Sequence, residues 1–335
     1  MPGSRLSPRK SLDLLVIGDC NPDVVVVGGD VTPAFAQQEK LVDGISLEIG
    51  GSASITAVAA ARLGLRVALA AAVGDDPAGR FMLGQLAAEG VDTMAMVVRP
   101  ELPTAMTVVL SRGSDRASLT SAGALPTLTA ADVPAALLGR ARHLHVSSYF
   151  LLERSLGPGL AGLFAAARAN GTTTSLDTNW DPAGRWGDEQ LDAVLHDTDL
   201  LLPNEAEALE LGERDTLGDA VAALTRDGTR LVVKLGGRGA LSAAADQWHV
   251  VSPPADLPGQ YVDATGAGDC CDAGVVAGLL AGLDLPSAAA LGCAVGAAST
   301  RGAGGTAVRT DMAMAFALAK AAVTERVPAA RGSCH

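Results

Sequence analysis

The chain carries two kinds of apolar pattern in alternation. Short, almost unbroken hydrophobic runs occur at residues 14–18, 67–71, 143–147, 173–177, 200–202 and 231–235. Strands that are apolar on both faces belong inside a sheet covered from both sides, as parallel sheets are. Ala- and Leu-rich stretches at 55–63, 79–88, 160–169, 206–211, 218–225 and 274–280 have helical character and fall between or after those runs. Alternation of this kind predicts an α/β sandwich around a mainly parallel central sheet.

Two segments break the pattern. Residues 23–49 and 93–121 hold β-like stretches with no helix between them. The second contains a hairpin signal, with strand-like residues 106–110 and 116–120 flanking the polar turn Ser111, Arg112, Gly113, Ser114 and Asp115. These insertions are predicted to pair into a small sheet projecting from the main domain, where it covers a site or meets a partner. The first eleven residues and the last ten, from Arg326, read as disordered tails. One domain over residues 12–325 remains.

Composition then limits the function. The chain has 335 residues, 48% of them hydrophobic, enough for one sizeable core. A net charge of -12 argues against a nucleic-acid partner, which needs clustered Lys and Arg. The cysteines, Cys20, Cys270, Cys271, Cys293 and Cys334, are odd in number and lack Cys-x-x-Cys spacing. That disfavours a disulfide framework or a structural zinc and points to reduced thiols and a cytoplasmic location. No apolar run has the length of a membrane span or of a signal-peptide core, so a soluble protein without a membrane partner is expected.

The most informative stretch is Asp263-Ala264-Thr265-Gly266-Ala267-Gly268-Asp269, which leads into an apolar helical run. Its glycines allow a tight turn in which successive amides face one concavity, and a helix N-terminus makes that concavity an anion site. Asp269 then falls in the first helical turn, where an ionised carboxylate can take a proton from an attacking alcohol. Taken alone, such a string is equally a tight turn with an N-terminal helix carboxylate.

Its companions change that reading. The string resembles the C-terminal signature of the ribokinase family of sugar and nucleoside kinases, the PfkB-type kinases. Gly50-Gly51-Ser52-Ala53-Ser54-Ile55-Thr56-Ala57 resembles the N-terminal signature, and Val73 to Gly79 and Glu89-Gly90-Val91 resemble segments that follow it. Asn204 and Glu207 stand as in the family's Asn-x-x-Glu element, and Lys234-Leu235-Gly236-Gly237-Arg238-Gly239 resembles its nucleotide-side strand and turn. The motifs keep the family's order and cover about residues 12–310. The resemblance implies a ribokinase-like three-layer α/β/α sandwich with a β-sheet lid, and an ATP-dependent kinase that uses magnesium.

It also implies roles. Asp269 would be the catalytic base, with the backbone of Gly266, Ala267 and Gly268 as the anion hole. Asn21, Asp23, Gly50, Gly51 and Ser52 would bind the substrate, and Lys234, Gly236, Gly239 and Asn204 the nucleotide and its phosphates. Glu207 would hold magnesium through water, while Asp263 and the loop 299–306 resemble a monovalent-cation site, which brings in potassium. Relatives often pair through the lid, so a homodimer is implied. Bland readings stand beside these: a helix cap for Asn204, a solvated carboxylate for Glu207, a solvated strand-end lysine for Lys234 and an Asx turn around Asn21.

The chain also departs from the pattern. Ile55 stands where an Asn commonly bonds a sugar hydroxyl. Asp181, with Arg185 further on, replaces an Arg found near Asn179 in kinases of acidic sugars. Phe35, Tyr149 and Phe150 are the candidate aromatics for stacking a nucleobase. A small neutral sugar or polyol is therefore the expected substrate, with a nucleoside, or a non-catalytic sugar-binding regulator, as alternatives. A nicotinamide-dependent oxidoreductase is disfavoured, because no Gly-x-Gly-x-x-Gly joins an early strand to a helix.

Overall fold

A computed structural model describes residues 10–112, 115–255 and 257–329, without the side chains of Asp115 and Arg116. The expected tails at 1–9 and 330–335, and the turn residues Gly113 and Ser114, lie outside the described residues. In chain order the elements begin with β1 (Leu12–Ile17), β2 (Asn21–Val27), β3 (Gly44–Gly50), α1 (Ser52–Arg62), β4 (Val67–Ala70), β5 (Ala72–Gly74) and α2 (Pro77–Ala88). There follow β6 (Val97–Arg99), β7 (Met106–Arg112), β8 (Asp115–Ser121), α3 (Ala135–Arg140), β9 (Ala141–Ser147), α4 (Tyr149–Leu152), α5 (Gly157–Ala169) and β10 (Thr173–Asp177). Next come α6 (Glu189–His196), β11 (Leu200–Leu201), α7 (Glu205–Leu211), α8 (Leu217–Leu224), β12 (Arg230–Lys234), β13 (Ala240–Ala244) and β14 (Gln247–Val251). The chain closes with α9 (Ala267–Leu280), α10 (Leu285–Ser299), α11 (Met312–Ala319) and β15 (Thr324–Val327).

The central sheet runs β15-β14-β13-β12-β11-β10-β9-β1-β4. From β4 to β12 all pairings are parallel, and these are the six apolar runs of the sequence; β13, β14 and β15 add antiparallel strands at one side. The two faces of β1 show why the runs are unbroken. Leu15 and Ile17 enter one core with residues of α3, α5, α6, α7 and α8, whereas Leu14 and Val16 enter the other with α1 and α9. Both sheet faces are thus covered, giving three layers. Helix starts follow from local chemistry: Asp76, Asp188, Thr216, Asp284 and Asp311 each accept the amide three residues on. Each such cap is worth about 1 kcal/mol.

Two corrections concern the edges. Arg326 and Val327 are not in a tail; they pair with His249 and Trp248 and end the sheet. Residues 97–99, expected in the lid, instead form β6 and pair with β5 in a separate two-stranded sheet.

The lid proper has the order β3-β2-β7-β8. Strand alternation puts Asn21, Asp23 and Val25 of β2 on one face with Thr107 and Val109 of β7 and Ser118 and Thr120 of β8. That face looks into a cleft against the sandwich. Ile45, Leu47 and Leu119 lie on the other face, where Ile45 and Leu119 are each 66% exposed. The lid is polar inward and apolar outward, the reverse of an ordinary surface sheet.

Candidate active site

The sequence 263–269 folds as a tight loop feeding α9. Gly266 adopts φ 72°, in the left-handed region that favours glycine. A Cβ there would come within 2.5 Å of Gly305 Cα. The loop is clasped by Asp263, whose Oδ1 accepts from the Thr265 amide (3.1 Å) and hydroxyl (3.0 Å) and whose Oδ2 accepts from the Gly304 amide at 3.0 Å. Asp263 is therefore occupied in holding two loops together.

This loop is the wall between two clefts. On one side, Thr265, Gly266 and Asp269 face an open cleft of about 550 Å3 beneath the lid, bordered by Asp19, Asn21, Asp23, Gly51 and Ser52. On the other, Ala264, Ala267 and Gly268 face a cleft of about 440 Å3 with Lys234, Gly236, Gly237, Gly239, Tyr261 and Arg301. Most residues singled out by sequence thus meet at one partition.

Among the described residues, the amides of Gly266, Gly268 and Asp269 make no main-chain hydrogen bond, and no side chain caps the helix. The Ala267 amide, expected to share the anion hole, instead donates to the Ala264 carbonyl at 3.2 Å. The first-turn donors left over are those of the glycines and of Asp269 itself.

Asp269 is buried. Burial, and then the negative charge of Asp177, push its carboxyl up to about 7; Lys234 opposes them, Asp19 adds to them, and a hydrogen bond with Ser52 offsets part. Its carbonyl accepts from the Thr56 hydroxyl at 3.3 Å, which ties the first turn of α9 to α1. A carboxyl that titrates near neutrality beside a substrate-sized cleft is suited to proton exchange with an alcohol.

Lys234 borders the glycine-lined cleft and is at the same time engaged by two carboxyl groups. Its ammonium lies 2.7 Å from Asp177 Oδ2 and 3.0 Å from Asp272 Oδ2; both carboxyl groups are buried, while the lysine side chain is 12% exposed. Against the push of burial, the Lys234 charge holds Asp177 below the usual carboxylate range. Burial drives Asp272 well above it, with the Asp177 charge adding to the rise. Asp272 Oδ1 has no partner among the described residues. Ligand atoms of Asp177, Asp269 and Asp272 lie within 4.8 Å of one another, and the lysine supplies a positive charge to that cluster.

Asn204 and Glu207 form a reciprocal capping box at the start of α7, with Glu207 N to Asn204 Oδ1 at 2.9 Å and Asn204 N to Glu207 Oε2 at 2.8 Å. The helix-cap reading of Asn204 is thus realised. Glu207 is no solvated carboxylate: burial, with Asp177 next, pushes it up to about 7.

On the lid side, Asn21 Nδ2 donates to Asp23 Oδ1 at 2.9 Å and to Thr107 Oγ1 at 3.2 Å. Gly50 does not border the cleft; its bare Cα makes room for Asp23, since a Cβ would fall 2.0 Å from Asp23 Oδ1. Asp19, not singled out by sequence, caps α1 from a distance by accepting the Ser52 and Ala53 amides at 3.0 and 2.9 Å. Asn179 bonds Ser52 and Ser148, each at 2.8 Å. Trp180, 55% exposed, stands at the mouth of the cleft against Trp186, ring centroids 4.7 Å apart. Its dipeptide with Asn179 was the available signal, but no local rule marks which tryptophan faces a cavity. Of the three candidate aromatics, Tyr149 and Phe150 are core residues, while Phe35 is 89% exposed on the loop between β2 and β3. Arg185 pairs with Glu153 and does not border the cleft.

A buried carboxyl thus faces one cleft, unbonded helix-start amides lie at a thin partition, and a second glycine-lined cleft lies behind it. The sequence matches the pfkB family of carbohydrate kinases over residues 11–311, and the chain belongs to that family. It is 28% identical to a ribokinase of Haemophilus influenzae over 279 residues, covering 80% of this chain and 85% of that one. It is 35% identical to a fructokinase of Klebsiella pneumoniae over 243 residues, 69% and 77% of the two chains. A candidate ribokinase II from E. coli, solved in complex with ATP and Mg2+, superposes with a TM-score of 0.80 at 25% identity, covering 92% and 99% of the two chains.

Proposed function

We propose that the protein transfers the γ-phosphate of ATP to a hydroxyl of a small neutral sugar or polyol, with Asp269 as the base. The observation that carries this reading is the partition itself. Asp269 faces the lid cleft while Gly268 faces the other, so an alcohol and a terminal phosphate held on either side would meet at the first turn of α9. Asp269 takes the hydroxyl proton as the oxygen attacks phosphorus, and the amides of Gly266, Gly268 and Asp269 receive the developing charge.

The donor set suits the nucleotide and its metal. Arg301 Nε is buried beside the glycine-lined cleft without an acceptor among the described residues. Asp177, Glu207, Asp269 and Asp272 bring four carboxyl groups around one ammonium, an excess of acid that fits a divalent cation. Glu207, with Asn204 next to it, would hold magnesium through water, and magnesium when bound neutralises phosphate charge. Lys234 and the glycines 236 and 239 would border the phosphates. Asp263 Oδ2 keeps one lone pair beyond its bond to Gly304 for a monovalent cation such as potassium.

On the substrate side, Asn21 and Asp23 present an amide and a carboxylate from the lid, a pairing that grips vicinal hydroxyls. Gly51 and Ser52 line the floor. The pairing of Arg185 with Glu153 speaks against an acidic sugar. The exposed Trp180 and the apolar Ile55 favour a second reading, a nucleoside whose base lies against them. The apolar outer face of the lid supports a homodimer formed through it. Cys20, Cys270, Cys271 and Cys293 are buried and unpaired, in keeping with the cytoplasm.

The experiment is ADP release across a panel of pentoses, hexoses, polyols and nucleosides, with Asp269→Asn as control. Turnover of one class that vanishes in the variant supports the reading. No turnover on any member returns the protein to a sugar-binding regulator.

A further inference from the structure

At the opposite end of the central sheet, where β9, β10 and β12 begin, lies a third, open cavity of about 400 Å3. Lys10, Arg142 and Arg230 converge on it, in a chain whose net charge is -12. Among the described residues, neither Lys10 nor Arg230 has a carboxylate within ion-pair distance. Arg142 reaches Asp13 only at 3.4 Å, and Asp13 is already held by Arg66 at 2.8 Å. Burial and the neighbouring Arg142 hold the Lys10 ammonium below its usual range. Cations gathered around a cavity without carboxylates repel one another, and an anion relieves that repulsion.

The cavity also has a polar floor. Thr173 Oγ1 lies 2.7 Å from His143 Nδ1, His143 Nε2 lies 2.7 Å from Ser175 Oγ, Ser175 Oγ lies 2.7 Å from His145 Nδ1, and His145 Nε2 lies 2.8 Å from Ser147 Oγ. This unbroken chain follows one face of β9 and β10 through the core, and it ends beside Asp177, the register partner of Ser147. Burial holds both imidazoles neutral, His143 down to about 3 and His145 to about 4. The Ser175 hydroxyl has one proton, so it donates to one ring and accepts from the other. Both histidines must then carry their proton on the same ring nitrogen, Nδ1 or Nε2.

We propose that this cavity binds a small phosphate ester, and that the bound anion sets the direction of the hydrogen-bond chain running to the catalytic end. Two guanidinium groups, an ammonium and the Thr173 hydroxyl suit a tetrahedral dianion, and Leu279, Leu280 and Leu283 wall the remaining space for an apolar body. When Thr173 donates to the anion, it must accept from His143 Nδ1–H. Ser175 then donates to His143 Nε2, His145 Nδ1–H donates to Ser175, and Ser147 donates to His145 Nε2. The Thr173 hydroxyl otherwise donates only at 3.4 Å to the Arg142 carbonyl, and an anion that takes this proton more strongly fixes the orientation of five groups.

The first test is calorimetric titration of the full chain with inorganic phosphate, repeated with ADP present to fill the nucleotide cleft. We expect binding that persists with ADP and weakens at least tenfold in Arg142→Gln/Arg230→Gln. Lys10→Ala, at the rim, should weaken it several-fold and serves if the double variant does not fold. Phosphate binding that ADP abolishes, or that ignores these substitutions, overturns the site. Citrate provides the second arm: tighter binding of citrate than of phosphate would replace the phosphate class with a polycarboxylate. Histidine 15N NMR reads the relay. Phosphate should move the protons of His143 and His145 together to Nδ1 in the wild type and not in Thr173→Val; unchanged ring shifts at saturating phosphate would refute the coupling.

Discussion

Lys234 Nζ lies 2.7 Å from Asp177 Oδ2 at the end of two parallel strands, with a third partner, Asp272, reaching down from α9. The contact joins the sheet to the helix that starts at the proposed anion hole. Removing the ammonium by Lys234→Met would leave two buried carboxyl groups without a cation, which costs about 3–5 kcal/mol. The expected result is a lower Tm together with an acid limb of the rate profile displaced upward, because Lys234 lowers the Asp269 pKa. A Lys234→Met protein with unchanged Tm and unchanged profile would contradict this role.

Asp269 gives the pH dependence. As the proposed base it must be ionised, so kcat/KM should rise as pH increases through about 7. Asp269→Asn should lower kcat by roughly 100- to 10,000-fold. Stability moves the other way. The folded pKa is raised from 3.8 to about 7, so the group adds stability below 3.8 that is lost as pH rises to about 7. Above that pH, Asp269→Asn should stabilise the fold by roughly 1–3 kcal/mol, seen as a higher Tm at pH 8 but not at pH 4. An inactive variant with the wild-type Tm at both values would separate the catalytic assignment from the electrostatic one.

Ile55 and Trp180 should govern substrate choice. Ile55→Asn restores a hydroxyl-bonding group and should favour pentoses or hexoses, while Trp180→Ala should raise KM for an aromatic or apolar-faced substrate by about 10-fold, the scale of one lost stacking contact. Steady-state KM across the substrate panel checks both. If Trp180→Ala leaves every KM untouched, the tryptophan is only packing on Trp186.

Ile45 and Leu119 are expected at a subunit contact. Introducing charge by Leu119→Lys should shift the mass measured by light scattering from dimer to monomer without a change in Tm of the separated chain. A wild-type protein that is monomeric at all concentrations tested would end the lid-to-lid reading.

Much of the scaffold was legible. The parallel strands announce themselves because residues such as Leu14 and Leu15 are apolar on both faces. By contrast, β13 is Ala240–Ala244, weak in strand-forming residues, and β15 is a short edge whose Thr324, Glu325 and Arg326 are exposed. The helix α10 hid for the opposite reason: buried on nearly all sides, it carries no amphipathic stripe. In the site, the contiguous string at Asp263 could be read directly, as could Asn21 and Asp23. The contact of Lys234 with Asp177 and Asp272 could not, because β10, β12 and α9 come together only in the folded sheet. The donation of the Ala267 amide to Ala264 likewise depends on the path of the turn rather than on residue type.

The lid is stitched into the sandwich at very short range. Three residues, 18–20, separate β1 from β2, and Gly51 alone separates β3 from α1, with Asp19 fastened to the start of that helix. Such brief splices leave little slack, so any swing of the flap must tug on Asp19 and on the Ser52 that neighbours Asp269. Opening and closing would then be geared to the floor of the cleft, and product could not depart without loosening the very turn that held the reacting hydroxyl.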